Sequence, residues 1–365
     1  MKNAASKRQT AAPLALVKKR RPTASVVFDT YWRFAAERQF VFNKRIRGES
    51  GPWTNDPVLQ TYKFTNAYRA SDRVSQYLIK DVIYAGDYSA EDTIFRILLF
   101  KIFNKIETWE LLQNGIGEEI TLHNFSVSGF SRLLEAAKAH KGTIYSAAYI
   151  MPSGATAKGV KSGSKHQFHL ELLKSLDKSG FYRSLSHVKS MKEGFEFLLS
   201  LPSIGSFLAY QYITDLNYSE HFDFSEQEFV VPGPGARDGI RKCFEDYGDF
   251  SETDIIKMMS DEQNEHFSRL GLSFQSLWGR PLQLIDCQNL FCEVDKYARV
   301  KHPKISGRTG RTRIKQKFLP KTTSLSLPWY PPKWGINQNI ESLRDITTSS
   351  INKKHEQYTN FELFA

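Results

Sequence analysis

The chain of 365 residues carries 50 Lys and Arg against 39 Asp and Glu, a net charge of +11 and an isoelectric point near 9.3, which favours a polyanionic partner. With 41% hydrophobic and 13% aromatic residues it holds enough apolar material for a sizeable core, which excludes a wholly disordered protein. It has no apolar run of about eighteen residues, and its three cysteines, Cys243, Cys287 and Cys292, offer neither a disulfide framework nor a four-cysteine metal centre. No membrane, metal or cofactor is therefore expected.

In chain order, residues 1–24 read as a disordered basic arm. The arm lacks the apolar stretch of a signal peptide, so a cytoplasmic protein is expected. Residues 25–303 read as one mainly α-helical domain, beginning with a helix whose Phe28, Tyr31, Trp32, Ala35 and Gln39 follow helical spacing. A Pro/Gly loop over 48–60 carries Trp53 and Asp56, and leads into a second expected helix through residue 79. On that helix Asn66, Arg69, Arg73 and Gln76 would share one polar stripe beside Asp72. Residues 90–113 are apolar on most sides and predict a buried helix, while the Gly/Ser/Lys-rich 153–165 predict a mobile surface loop. Neither that loop nor the stretch near Arg308 contains G-x-x-x-x-G-K-[ST], which argues against a P-loop kinase.

Two helices over 184–200 and after 206 flank L-P-S-I-G-S (Leu201 to Ser206). Pro202 stops the first helix, Gly205 is available for a positive φ, and Ser206 can cap the second. The N–H groups opening that helix offer an anion site, so Pro202, Ile204, Gly205 and Ser206 are expected to face a DNA phosphate. V-V-P-G-P-G-A-R-D-G-I (Val230 to Ile240) adds Gly233, Gly235 and Arg237 to the same expectation. A late helix over 282–299 carries Gln288 and Glu293. Residues 304–365 form a basic and Pro-rich extension expected to wrap the core, with four prolines and two tryptophans within 320–340.

Pro52 to Val74, the hairpin with its F-V-V-P-G-P-G-A-R-D-G-I continuation, and Q-N-L-F-C-E-V-D-K-Y (Gln288 to Tyr297) together resemble one helical family. It comprises the helical domains of 5-hydroxymethyldeoxyuridine DNA kinases and the α-glutamyl/putrescinyl thymine pyrophosphorylases, and is similar to helix-hairpin-helix DNA glycosylases. A bacterial anti-phage glycosylase that removes glucosylated hydroxymethylcytosine resembles it too. The resemblance implies a helix-hairpin-helix glycosylase-like fold and a double-stranded DNA partner carrying modified bases; a monomer is expected.

Excision would need a carboxylate beside an oxocarbenium-like sugar and a pocket for the flipped base. The family pattern points to Asp238, though its distance from Gly205 exceeds the usual spacing. Glu226 lies nearer that spacing, with Asp223 and Asp215 behind. Phe207 stands where bifunctional members carry a lyase lysine, so the expected enzyme is a monofunctional DNA N-glycosylase that leaves abasic sites in phage DNA, a defence function. Its base pocket would draw on Asn66, Arg69, Asp72, Arg73, Gln288 and Glu293, with Trp53 or Tyr62 stacking. Two alternatives stay open. One is a pyrophosphorylase- or transferase-like enzyme acting on phosphorylated hydroxymethyl pyrimidine in DNA; the other is a module that binds modified DNA without chemistry.

Overall fold

The computed structural model describes residues 19–140, 142–147, 151, 164–319 and 326–341. Among these the chain is mainly helical, with one small two-stranded sheet.

Strand β1 (Thr23–Ala24) precedes helix α1 (Val26–Ile46). Ser25 caps α1 by accepting the Val27 N–H, and Val27, Tyr31, Trp32 and Ala35 line its fully buried face. The end of the expected basic arm is thus ordered: β1 pairs antiparallel with β2 (Phe244–Asp246). Arg20 and Arg21 meet Asp246 and Glu262 at 2.5 Å, so basic residues here serve cohesion of the chain.

The expected second helix is broken. After the short α2 (Pro57–Thr61), capped by Asp56, the backbone runs irregularly to a 3₁₀ turn (Arg69–Ser71), α3 (Arg73–Tyr77) and a π-helical turn (Leu78–Ile83). Side-chain carboxylates, one local and two from far along the chain, take the N–H groups that a helix would bond internally. Thr65 N–H donates to Glu293 at 3.1 Å, Asn66 N–H to Asp72 at 2.8 Å, and Arg69 N–H to Asp286 at 2.8 Å. A polar stripe read at helical spacing therefore cannot form.

Helix α4 (Ala90–Phe103) is buried on nearly all sides, as its composition predicts, but it ends at Asn104 in a left-handed conformation (φ 48°). Helix α5 (Ile106–Ile116) continues from there, so the expected single helix over 90–113 is two. Next come α6 (Val127–Ala139), α7 (Lys165–Lys178) and α8 (Phe181–Ser186). Residues 153–163 of the expected mobile loop lie outside the described residues.

The hairpin pairs α9 (Met191–Leu199) with α10 (Ser206–Leu216). Its positive φ falls on Ser203 (66°), while Gly205 takes φ −87° and itself occupies the N-cap position expected of Ser206. Helix α11 (Pro234–Cys243) starts with Pro234 at its first turn and is followed by β2. Then come α12 (Glu252–Asp261), α13 (Gln263–Arg269) and the long α14 (Leu284–Lys301).

Helices α11 and α14 approach so closely that side chains are excluded between them. A Cβ on Gly239 would fall 2.0 Å from the Phe291 carbonyl oxygen, and one on Gly235 3.1 Å from Cys292 Sγ. The four-residue spacing places both glycines on the helix face that meets α14. Beyond Lys301 the chain crosses the surface, and residues 326–341 return to the core: Tyr330 is fully buried, with Ile336 and Ile340 also inside. The Pro-rich extension does more than wrap the surface.

Candidate functional site

The residues of the loop 65–72 join two polar clusters. On one side Arg69, 3% exposed, sends its guanidinium to Asp215 at 2.6 Å, Tyr218 at 2.9 Å and Gln211 at 3.1 Å. Lys101 of α4 approaches the other Asp215 oxygen at 3.1 Å. Burial alone would raise the Asp215 carboxyl, but these two cations outweigh it and hold it below the ordinary carboxylate range.

Next to this triad Glu226 pairs with Arg280 at 2.6 Å, partly open to solvent. Asp286, in the first turn of α14, accepts N–H groups from Arg69 and Gln283. Burial is the largest influence on it and pushes its carboxyl up to about 6, with Glu226 adding in the same direction. Residues 326–341 close this cluster from outside. The Arg280 guanidinium lies 3.9 Å over the Trp334 ring, and Trp334 stacks on Tyr330 at 5.8 Å. Tyr330 places its hydroxyl 2.7 Å from that of Ser71, while Lys333 donates to the carbonyls of Ser219 and Phe222.

On the loop's other side Arg38 donates to the Thr65 carbonyl at 3.0 Å and to the Asn66 side chain at 2.9 Å. Asn66, Asp72 and Glu293 meet here, the last also paired with Lys296 at 2.7 Å. Burial pushes the Asp72 carboxyl up to about 7, with the Glu293 charge adding to it.

The expected base-binding residues therefore divide. Asn66, Arg69, Asp72 and Glu293 converge on the loop. Arg73 points outward, 65% exposed and 3.8 Å from Glu107. Gln288 is fully buried near the start of α11, and its amide donates to Cys292 Sγ at 3.3 Å. Burial pushes the Cys292 thiol up to about 12, far from a reactive thiolate. Trp53 sits apart, its indole N–H on the Glu49 carbonyl and its ring under Arg45 at 5.1 Å.

The expected phosphate contacts are likewise two groups. Pro202, Gly205 and Ser206 are exposed at the hairpin tip, with Ile204 packed beneath. Gly233 is buried against Phe207, and Gly235 against α14. Arg237 is exposed near Glu252 at 3.4 Å. The two catalytic candidates have different partners: Glu226 faces Arg280, whereas Asp238, 1% exposed, accepts the N–H of Thr309 at 3.0 Å and its hydroxyl.

Sequence reading missed Arg38, Lys101, Arg280 and Asp286. Only Asp286 carried a signal, since Gln283 and Asp286 have the spacing of a reciprocal cap and form one. Among the described residues no group of three or more His, Cys, Asp or Glu is placed to hold a metal ion, and no helix is long and apolar enough to cross a membrane.

The family of the 5-hmdU DNA kinase helical domain matches residues 25–307. The chain belongs to this family. A 5-hmdU DNA kinase of Bacillus phage SP10 is 28% identical over 298 residues, which cover 75% of this chain and 45% of that protein. The chain thus spans under half the length of this curated relative. No solved structure matches it. Membership of the 5-hmdU DNA kinase helical-domain family corrects the expected chemistry. The relative is named for a kinase, which transfers a group, whereas a DNA N-glycosylase hydrolyses an N-glycosyl bond. The expected monofunctional glycosylase is overturned, and the anti-phage role that rested on excision goes with it.

Proposed function

We propose that this protein is a group-transfer enzyme acting on a modified pyrimidine in DNA, with phosphorylated hydroxymethyl pyrimidine as the substrate class. The observation that carries this reading is the Glu226–Arg280 pair beside Asp286, whose carboxyl is pushed up to about 6, in a chain of this family. A carboxyl that titrates near neutrality can exchange a proton with an incoming nucleophile, and a guanidinium next to it can hold a departing phosphate. Arg69 and Asp215 are too deeply paired to exchange protons; they hold the loop in place. The P-loop is absent from the sequence, so the reading assigns this chain a step on a substrate already phosphorylated.

The test incubates the protein with duplexes containing 5-hydroxymethyluracil, its phosphorylated forms or plain thymine, and identifies small products by mass spectrometry. Release of phosphate or pyrophosphate with a mass change on the DNA is expected. Asp286→Asn, which keeps one acceptor for the Arg69 N–H, should reduce that turnover by about 10²- to 10⁴-fold. Unchanged DNA and no released product, with every substrate and nucleophile offered, would remove the enzymatic reading.

The second reading, recognition without chemistry, draws on one observation: Asp215 and Asp238 are already satisfied by protein partners. It predicts tight, selective binding to modified duplex with no product.

A further inference from the structure

Residues 307–319, G-R-T-G-R-T-R-I-K-Q-K-F-L, contain five cations and no acid. Arg308 is neutralised by Glu252 at 3.0 Å. Arg311, Arg313, Lys315 and Lys317 are exposed, and among the described residues no carboxylate lies within ion-pair distance of them. By contrast, the exposed Arg20, Arg21 and Arg269 each meet an acid at 2.5 Å.

The backbone that carries these cations is fixed at three places. At its start Thr309 donates its N–H and hydroxyl to the buried Asp238, and Gly307 lies so close that a Cβ there would sit 2.9 Å from Asp238 Cβ. In the middle the Arg313 carbonyl accepts from Arg299 at 2.9 Å, and Arg299 is held by the buried Asp295, which also pairs with Lys242. At its end Lys63 N–H donates to the Gln316 carbonyl and Phe318 N–H to the Thr61 carbonyl, around a bridge between Tyr62 and Lys317. Aromatic faces flank this end: Phe318 packs edge-on to Trp53, and Lys317 lies 5.8 Å over the Tyr62 ring.

A segment whose backbone is already ordered and whose cations have no acidic partner to give up loses little when it docks on a fixed row of anions. We infer that the strip of Arg311, Arg313, Lys315 and Lys317 is a docking surface for the phosphodiester backbone of DNA, and that Asp238 is a positioning residue that tethers it. This inference rests on the proposed DNA substrate and adds to it the surface by which the duplex is gripped. Contacts of this kind position a duplex without reading its bases.

The experiment measures affinity of the full chain for a plain duplex and for one carrying 5-hydroxymethyluracil, from about 50 to 200 mM salt. Replacing all four cations (R311A, R313A, K315A, K317A) should weaken binding to both duplexes at least tenfold. It should also lower the slope of log affinity on log salt by about 3 to 4, close to 0.9 for each phosphate no longer neutralised. Thr309→Val keeps every cation but loosens the tether. It should weaken binding several-fold with the slope unchanged and with the circular dichroism of the sample the same as wild type, which excludes a loss of folded protein. A quadruple variant with wild-type affinity and slope would overturn the docking surface while leaving the substrate reading in place. T309V binding as wild type would overturn the tether. A wild-type chain that bound neither duplex would take the functional reading down as well.

Discussion

Asp72 shows how one buried side chain can set a pH dependence. Burial raises its carboxyl from the ordinary 3.8 to about 7, so between those values the folded chain keeps a proton that the unfolded chain has released. The Asp72 contribution to folding stability is then highest below pH 4, declines as pH rises toward 7, and is flat above. Asp72→Asn retains an acceptor for the Asn66 N–H and removes that decline. Urea unfolding at pH 4 and pH 8 should show the variant gaining roughly 4 kcal/mol over wild type at the higher pH. Asp286 works in the same direction, but it is common to both proteins and cancels in the comparison. Asp215 has the opposite sign, its carboxyl held low, so its contribution is present above pH 4 and lost as pH falls.

At the scale of elements, two glycines that look alike in sequence differ completely in the folded chain. Gly205 has nothing within 4 Å of a built Cβ and a φ that any residue adopts, so Gly205→Ala should change stability by less than about 0.5 kcal/mol. Gly239 faces the Phe291 backbone, and Gly239→Ala must push α11 away from α14. A cost above about 3 kcal/mol is expected, read as a fall in denaturation midpoint at constant slope.

This contrast marks how far the sequence could be read. The apolar periodicity of α1 and the hairpin punctuation at Pro202 were legible because both are local. The helix expected through residues 61–79 was not obtained, because the acceptors that break it, Glu293 and Asp286, lie more than 200 residues away. Arg69 was legible as a functional-looking cation; Arg280, between a glycine and a proline, gave no local hint of its partner Glu226. Gly235 and Gly239 were visible as glycines, but whether a phosphate or a helix comes close to them is a tertiary fact.

At the scale of the whole molecule, residues 326–341 lie beyond the family match at 25–307 and still complete the core. Tyr330 sits between Trp278 and Trp334 with its hydroxyl on Ser71. Tyr330→Ala should cost about 3–5 kcal/mol through the cavity and the unpaired Ser71 hydroxyl. Thermal unfolding checks this. Because Trp334 covers Arg280, the same variant should also loosen the Glu226–Arg280 pair and lower turnover.

The anchoring of Arg69 also bears on how the chain is made. Its backbone bonds to Asp286, 217 residues later, and its guanidinium to Asp215, 146 residues later. With synthesis at about 5–20 residues per second, roughly 10–40 s pass between the emergence of Arg69 and that of its last partner. Until Asp215 emerges, neither Arg69 nor Lys101 of α4 can leave water without an uncompensated charge. The N-terminal half must therefore wait, hydrated and incompletely packed, for α10 to arrive, and its loop 65–72 is closed only when α14 follows, so charge sets the order of assembly.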